Sequence, residues 1–93
     1  MLASYVFTQH AQQRKQQRGF PDGIIDLIID FGLSCDAGDG ARKYALAKDS
    51  FRAIRRMYGR QFAEAANRYR RAYVVMAGNR IITTAFANQP IFA

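Results

Sequence analysis

From Gln9 to Arg18 the chain carries one alanine and no other apolar side chain. Thr8 is placed to cap this run, Gly19 to end it, and Phe20–Pro21 to block its continuation, which predicts a helix with almost nothing to bury. The next segment has the opposite character. Ile24, Leu27, Ile28 and Phe31 recur at i, i+3, i+4 and i+7, and Ile25 and Ile29 widen the stripe. A second helix therefore opens at Pro21 or Asp22, runs to Phe31 and stops at Gly32, and it is expected to be the main core element.

The remaining patterns are shorter. Tyr5 to Thr8 reads as a strand, β-branched and aromatic. Ser34 to Gly40, with two Gly and two Asp, reads as an exposed loop. Ala41 to Ala47 alternates as a half-buried strand, with Tyr44 and Leu46 on one face and Lys43 on the other. Asp49 or Ser50 is expected to cap a third helix. Its seam of Phe51, Ile54, Tyr58, Phe62, Ala65, Ala66 and Tyr69 crosses Gly59, and two helices broken there are favoured over one. Arg71 to Met76 and Arg80 to Phe86 form a hairpin about Ala77-Gly78-Asn79, with Gly and Asn expected to supply positive φ. A tail from Asn88 to Ala93 is expected to dock through Ile91 and Phe92. The order β-α-α-β-α-(α)-β-β predicts an α+β fold, an antiparallel sheet of about four strands with helices packed on one face.

Composition narrows the class. Ninety-three residues, nearly half of them apolar, with seven Phe and five Tyr, suit one domain (1–93) with a modest core. Cys35 is the single cysteine, so no internal disulfide forms and no Cys/His cluster can hold zinc; it reads as an inert loop thiol. Asp26 and Asp30 interrupt the longest apolar run, so no membrane span is expected, and the opening residues lack a secretory layout. A cytoplasmic protein needing neither metal nor cofactor is the expectation. Asp26 and Asp30 themselves read as a solvated outer stripe, and Gly38-Asp39-Gly40 lacks the context of a phosphate loop.

Charge adds a partner class. The net charge is +7, yet five of the seven acids lie between Asp22 and Asp39. Arg52, Arg55, Arg56, Arg60, Arg68, Arg70 and Arg71 face the single Glu64 in their part of the chain. Such a segment expects a polyanion, nucleic acid or an acidic protein. Arginine outnumbers lysine eleven to three, which favours forked contacts with phosphate.

The polar helix places His10, Arg14 and Arg18 at i, i+4 and i+8, on one stripe. One titratable ring beside fixed cations suits a phosphodiester: guanidinium groups hold the phosphate and imidazole moves a proton. Metal-independent RNA cleavage needs a base, an acid and cations on the transition state. His10 could serve as either acid or base, with Arg14 and Arg18 on the non-bridging oxygens. Arg71 or Arg80 is a further candidate phosphate ligand from the hairpin, Thr83 or Thr84 could donate to the phosphate, and Tyr73 could stack on a base. The plainer alternatives are a solvated helix, strand-filling threonines and a tyrosine that packs the sheet.

The run Thr8-Gln9-His10-Ala11, then Arg14, then Arg18-Gly19-Phe20, resembles the His-Ala-x-x-Arg-x-x-x-Arg-Gly-aliphatic opening of a family of small bacterial proteins. Ile81-Ile82-Thr83, after the Gly78-Asn79 turn, resembles that family's late Val-Ile-Thr strand. Those proteins are similar to RelE/ParE-type toxins of toxin–antitoxin pairs, within the wider barnase-like ribonuclease fold. The resemblance touches about half the chain, and the arginine-rich segment between Lys48 and Arg70 is absent from the shorter members. It implies a catalytic role for His10, phosphate binding by Arg14 and Arg18, and a place for Thr83 in the same cleft. It also implies RNA as substrate and a cognate antitoxin whose acidic or helical segment covers the basic surface. The alternative is a non-catalytic toxin or interaction module that binds a protein target, as ParE-like members are thought to bind gyrase, or nucleic acid.

Overall fold

The structure, a computed structural model, describes residues 5–92, apart from the side chain of Asp22. It is an α+β fold of nine elements: β1 (Val6–Phe7), α1 (Gln9–Arg18), α2 (Asp22–Phe31), β2 (Leu33–Gly38), β3 (Ala41–Ala45), α3 (Lys48–Tyr58), α4 (Arg60–Asn67), β4 (Ala72–Ala77) and β5 (Arg80–Phe86). The strands form one sheet in the order β1-β5-β4-β3-β2. Among the described residues no helix is long and apolar enough to cross a membrane.

Two features of the sheet correct the sequence expectation. Five strands replace about four, and the sheet is mixed, because β1 pairs with β5 in parallel while the other neighbours are antiparallel. The added strand is β2, in the segment read as a loop. Leu33 pairs with Ala45, Cys35 with Lys43 and Asp36 with Arg42, and the register shifts between Asp36 and Gly38. Its Gly and Asp content fits an edge: among the described residues one side of β2 has no partner strand, and polar, short, bulged edges resist pairing with other chains. The turn that follows keeps the loop chemistry, with Asp39 at φ 54° between two glycines of positive φ.

Capping is legible residue by residue. The Thr8 hydroxyl accepts from the Ala11 N–H at 3.1 Å. Gly19, at φ 68°, and Phe20 donate back to Gln16 and Lys15, closing α1 in a six-residue wrap that a left-handed residue permits. The cap of α3 differs from expectation. Ala47 is the N-cap residue, and Ser50 reaches back to accept its N–H at 2.9 Å, as the third helical residue of a capping box does. Gly59, at φ 97° and ψ 172°, separates α3 from α4, as the favoured reading had it. In the β4–β5 turn Gly78 alone of the expected pair takes positive φ.

Burial follows the strand period. Ala72, Val74 and Met76 of β4 are buried, and the intervening Tyr73, Val75 and Ala77 are half-buried. The buried set shares a cluster with Ala11 of α1, Ile24, Ile25 and Ile28 of α2, Ile54 of α3, Ala66 of α4 and Ile81 of β5. The helices thus close one side of the sheet, and α2 is its centre, as its periodicity predicts. Full burial of Ile25, Ile28, Leu46, Ile54 and Ile81 is worth about 1.5–3 kcal/mol for each side chain. In the tail, Pro90 and Phe92 line a depression with Phe51, Asn67 and Arg70; Ala93 lies outside the described residues.

Candidate functional site

Helix α1 lies alongside β5, and each end is fixed by named contacts. At the start, the Thr8 N–H donates to the Ile81 carbonyl at 3.0 Å, and the Thr8 hydroxyl donates to the Ile82 carbonyl at 3.3 Å. At the far end, the Phe20 ring stacks on Phe86 with centroids 4.8 Å apart, and Tyr69 joins them. Ten helical residues span about 15 Å and the four steps from Ile82 to Phe86 about 14 Å, so helix and strand run side by side with matched lengths.

This places the candidate residues along one line. His10 lies two residues after Thr8, at the level of Ile82 and Thr83, and is exposed. Arg18 is exposed at the Phe86 end, where the Arg71 carbonyl accepts the Ala87 N–H at 2.8 Å. Arg80 starts β5 at the opposite end, opposite Ala77 and Val6. Six strand steps separate Arg71 from the level of Arg80, about 20 Å, so the two cannot serve one phosphate. His10 falls between them.

Around the axis of α1, each residue turns about 100°. Ala11 is the buried contact, so His10 lies about 100° from it and Arg14 about 60°. The outermost direction belongs instead to Gln9, Gln13 and Gln16. The stripe therefore borders the packed side, and Arg14 is half-buried as a result. On the other border the Lys15 ammonium lies 5.5 Å from the centroid of the Phe7 ring. Among the described residues no hydrogen bond or ion pair engages His10, Arg14 or Arg18. The three side chains are left available to a ligand.

The two threonines part company. Thr84 is opposite Val74, on the buried side, and is fully buried. Among the described residues its hydroxyl has no hydrogen-bond partner, and it cannot reach a ligand at the surface, which removes it from the expected phosphate donors. Thr83 is opposite Val75, on the outer face, half-buried, in a cross-strand row with Lys43 and Cys35. Tyr73 is on the same outer face, but the Lys43 ammonium sits 4.8 Å from its ring centroid, so one face of the ring already holds a cation. Cys35 is a free thiol, in a strand instead of the loop expected for it.

Two further surfaces come from the arrangement of α2, α3 and α4. A cleft of about 540 Å³ between α3 and α4 is lined by Lys48, Phe51, Arg52, Arg55, Arg60, Ala63, Glu64 and Asn67. The arginine run signalled its charge, but only the bend at Gly59 turns the cationic face of α3 and Arg60 of α4 toward one space. A second groove, of about 350 Å³, lies between α2 and α4 and includes Ile24, Leu27, Tyr58 and Phe62. Asp26 and Asp30 border it, and the Tyr5 hydroxyl donates to Asp26. The seam residues Tyr58 and Phe62, expected in the core, are 51% and 54% exposed here, because α2 covers only the Ile54 and Ala66 side of the α3–α4 pair. No group of three or more potential metal-ligating side chains occurs among the described residues.

No protein-family model matches the chain, and comparison with curated proteins and with solved structures gives no match either.

Proposed function

We propose that the protein is the toxin of a bacterial toxin–antitoxin pair and cleaves cellular RNA without a metal. The supporting observation is the position of His10: exposed, one helical turn from Arg14, at the middle of β5 with Arg80 toward one end and Arg18 and Arg71 toward the other. A single strand laid along β5 meets cations on both sides of the ring. In this reading His10 takes the proton of the 2′-hydroxyl as that oxygen attacks phosphorus, and the departing 5′-oxygen takes its proton from water. Arg14 holds a non-bridging oxygen of the phosphate being cut. Arg18 is about 6 Å beyond Arg14 along the helix axis, and about 12 Å beyond His10, so it grips a neighbouring phosphate. Thr83 donates to the strand from the outer face. The likeness of the His10–Phe20 run and of the Ile81-Ile82-Thr83 strand to RelE/ParE-type toxins supports the same assignment.

An exposed histidine lacks the partner that would orient it, and the substrate supplies that partner when it binds; catalytic hydrogen bonds often close only in the complex. The cytoplasm is where such an enzyme meets its RNA, and an antitoxin with an acidic or helical segment silences it there.

The test is growth. Induced expression of the chain arrests a bacterial host, and His10→Ala relieves the arrest while purified variant and parent melt at the same temperature. Arrest undiminished by His10→Ala overturns the enzymatic reading. It favours instead a poison of a protein target, for which the exposed Tyr58 and Phe62 beside the α2–α4 groove offer a docking ridge.

A further inference from the structure

The α3–α4 cleft stands apart from the α1–β5 line, and its chemistry is distinct. Lys48, Arg52 and Arg55 recur at i, i+4 and i+7 on α3, one helical stripe, and Arg60 faces them from the first position of α4. Asp49 pairs with Arg52 at 3.3 Å across two exposed side chains, a weak contact. Among the described residues Arg55 and Arg60 have no acidic partner. Glu64 is the one acid on the lining, and Phe51 and Ala63 give it an apolar floor. The bend that makes the cleft is held by Gly59, whose N–H donates to the Arg55 carbonyl at 2.8 Å.

A cationic wall over an aromatic floor suits a ligand that alternates charge with a flat apolar ring. Single-stranded nucleic acid has that alternation: phosphates meet the guanidinium forks while a base stacks on an aromatic face. The volume falls within the range of ordinary small-molecule sites. An acidic peptide would use the cations but leave Phe51 without a planar partner.

We infer that the α3–α4 cleft, through Arg55, Arg60 and Phe51, is a binding site for single-stranded nucleic acid, separate from the His10 stripe. The site rests on the reading of RNA as partner, but not on cleavage. It holds a flanking part of the strand and so sets affinity, whereas α1 acts on the bond that is cut.

A labelled oligodeoxyuridylate of about twelve nucleotides tests this by fluorescence anisotropy across a salt series, since that length covers a typical single-strand site. Lacking a 2′-hydroxyl, it cannot be cut, so binding is read whether or not the protein is a nuclease. The charge-matched control is Arg56→Gln with Arg68→Gln, two exposed arginines of the same segment that do not line the cleft. Arg55→Gln with Arg60→Gln should weaken binding about tenfold or more and lower the salt slope by about 1.4, the contribution of two phosphate contacts on a single strand. The control pair should lose less than about threefold. Equal losses in the two pairs would overturn the site in favour of diffuse charge. So would absence of binding by the parent protein at low salt. Arg55- and Arg60-dependent capture of polyglutamate in preference to the oligonucleotide would assign the cleft to an acidic protein partner instead.

Discussion

Thr8 and Ile82 are joined by a hydrogen bond from the threonine hydroxyl to the isoleucine carbonyl, at 3.3 Å. The same hydroxyl accepts from Ala11, so one oxygen caps α1 and moors it to β5. Thr8→Ala removes both bonds and should cost about 1–2 kcal/mol, the usual range for an N-cap, while Thr8→Ser should keep most of it. Because His10 lies on the first turn, the proposed cleavage should fall more than stability alone accounts for. Chemical denaturation with parallel activity assays checks both. A Thr8→Ala protein as stable as the parent would show that the mooring is energetically idle.

Thr84 gives a stabilising prediction. Its buried hydroxyl carries a desolvation cost with no hydrogen bond in return among the described residues. Thr84→Val keeps the shape and should raise stability by about 1 kcal/mol, with the proposed RNA cleavage unchanged. Thr83→Val, on the outer face, should leave stability nearly unaltered and reduce cleavage. Thermal melts and rates on the two variants separate neighbouring residues that the sequence leaves equivalent.

Gly32 ends α2 for a reason that the stop signal does not reveal. Its φ is ordinary, −72°, but an added Cβ would collide with the carbonyl oxygens of Ile28 and Ala45. Both are backbone atoms, so relief requires α2 to move against β3. Gly32→Ala should destabilise by about 3 kcal/mol, the upper range for overpacking, as measured by urea titration.

Gly59 has the opposite character. A Cβ there meets no atom within 4 Å, yet φ 97° with ψ 172° lies where side chains other than glycine's are strained. Gly59→Ala should cost about 1–3 kcal/mol and should open the angle between α3 and α4. Oligonucleotide affinity should drop with it, because Arg55 and Arg60 flank the bend. Unchanged stability would show that the bend does not depend on this backbone conformation.

The helices were legible because their signals are local. Thr8, Gly19 and Gly59 mark boundaries through their own chemistry, and the isoleucines of α2 declare a buried face through spacing alone. β2 was not legible. Its Gly and Asp residues look like a loop because an edge strand owes its pairing to β3, and its own side chains gain little from the sheet. The parallel pairing of the two-residue β1 is likewise set by the contacts of Thr8 and Val6 with β5 and its turn.

At the site, spacing identified the stripe of His10, Arg14 and Arg18, but not where it lies against β5. Strand parity separates Thr83 from Thr84 only once the register is known, since the signal is the same for either. The cleft was hidden for a related reason. A run of arginines states a charge, and only the fold turns Arg55 and Arg60 toward one volume.

The most direct measurement is on the bond itself. End-labelled single-stranded RNA is incubated with the purified protein in excess chelator, beside His10→Ala of equal melting temperature, and the fragments are resolved by end-group. The account predicts fragments with 2′,3′-cyclic phosphate ends from the parent and a loss of about 10²–10⁴-fold in the variant, the range of a removed general acid or base. RNA left intact by the parent, or cut equally fast by His10→Ala, would contradict it.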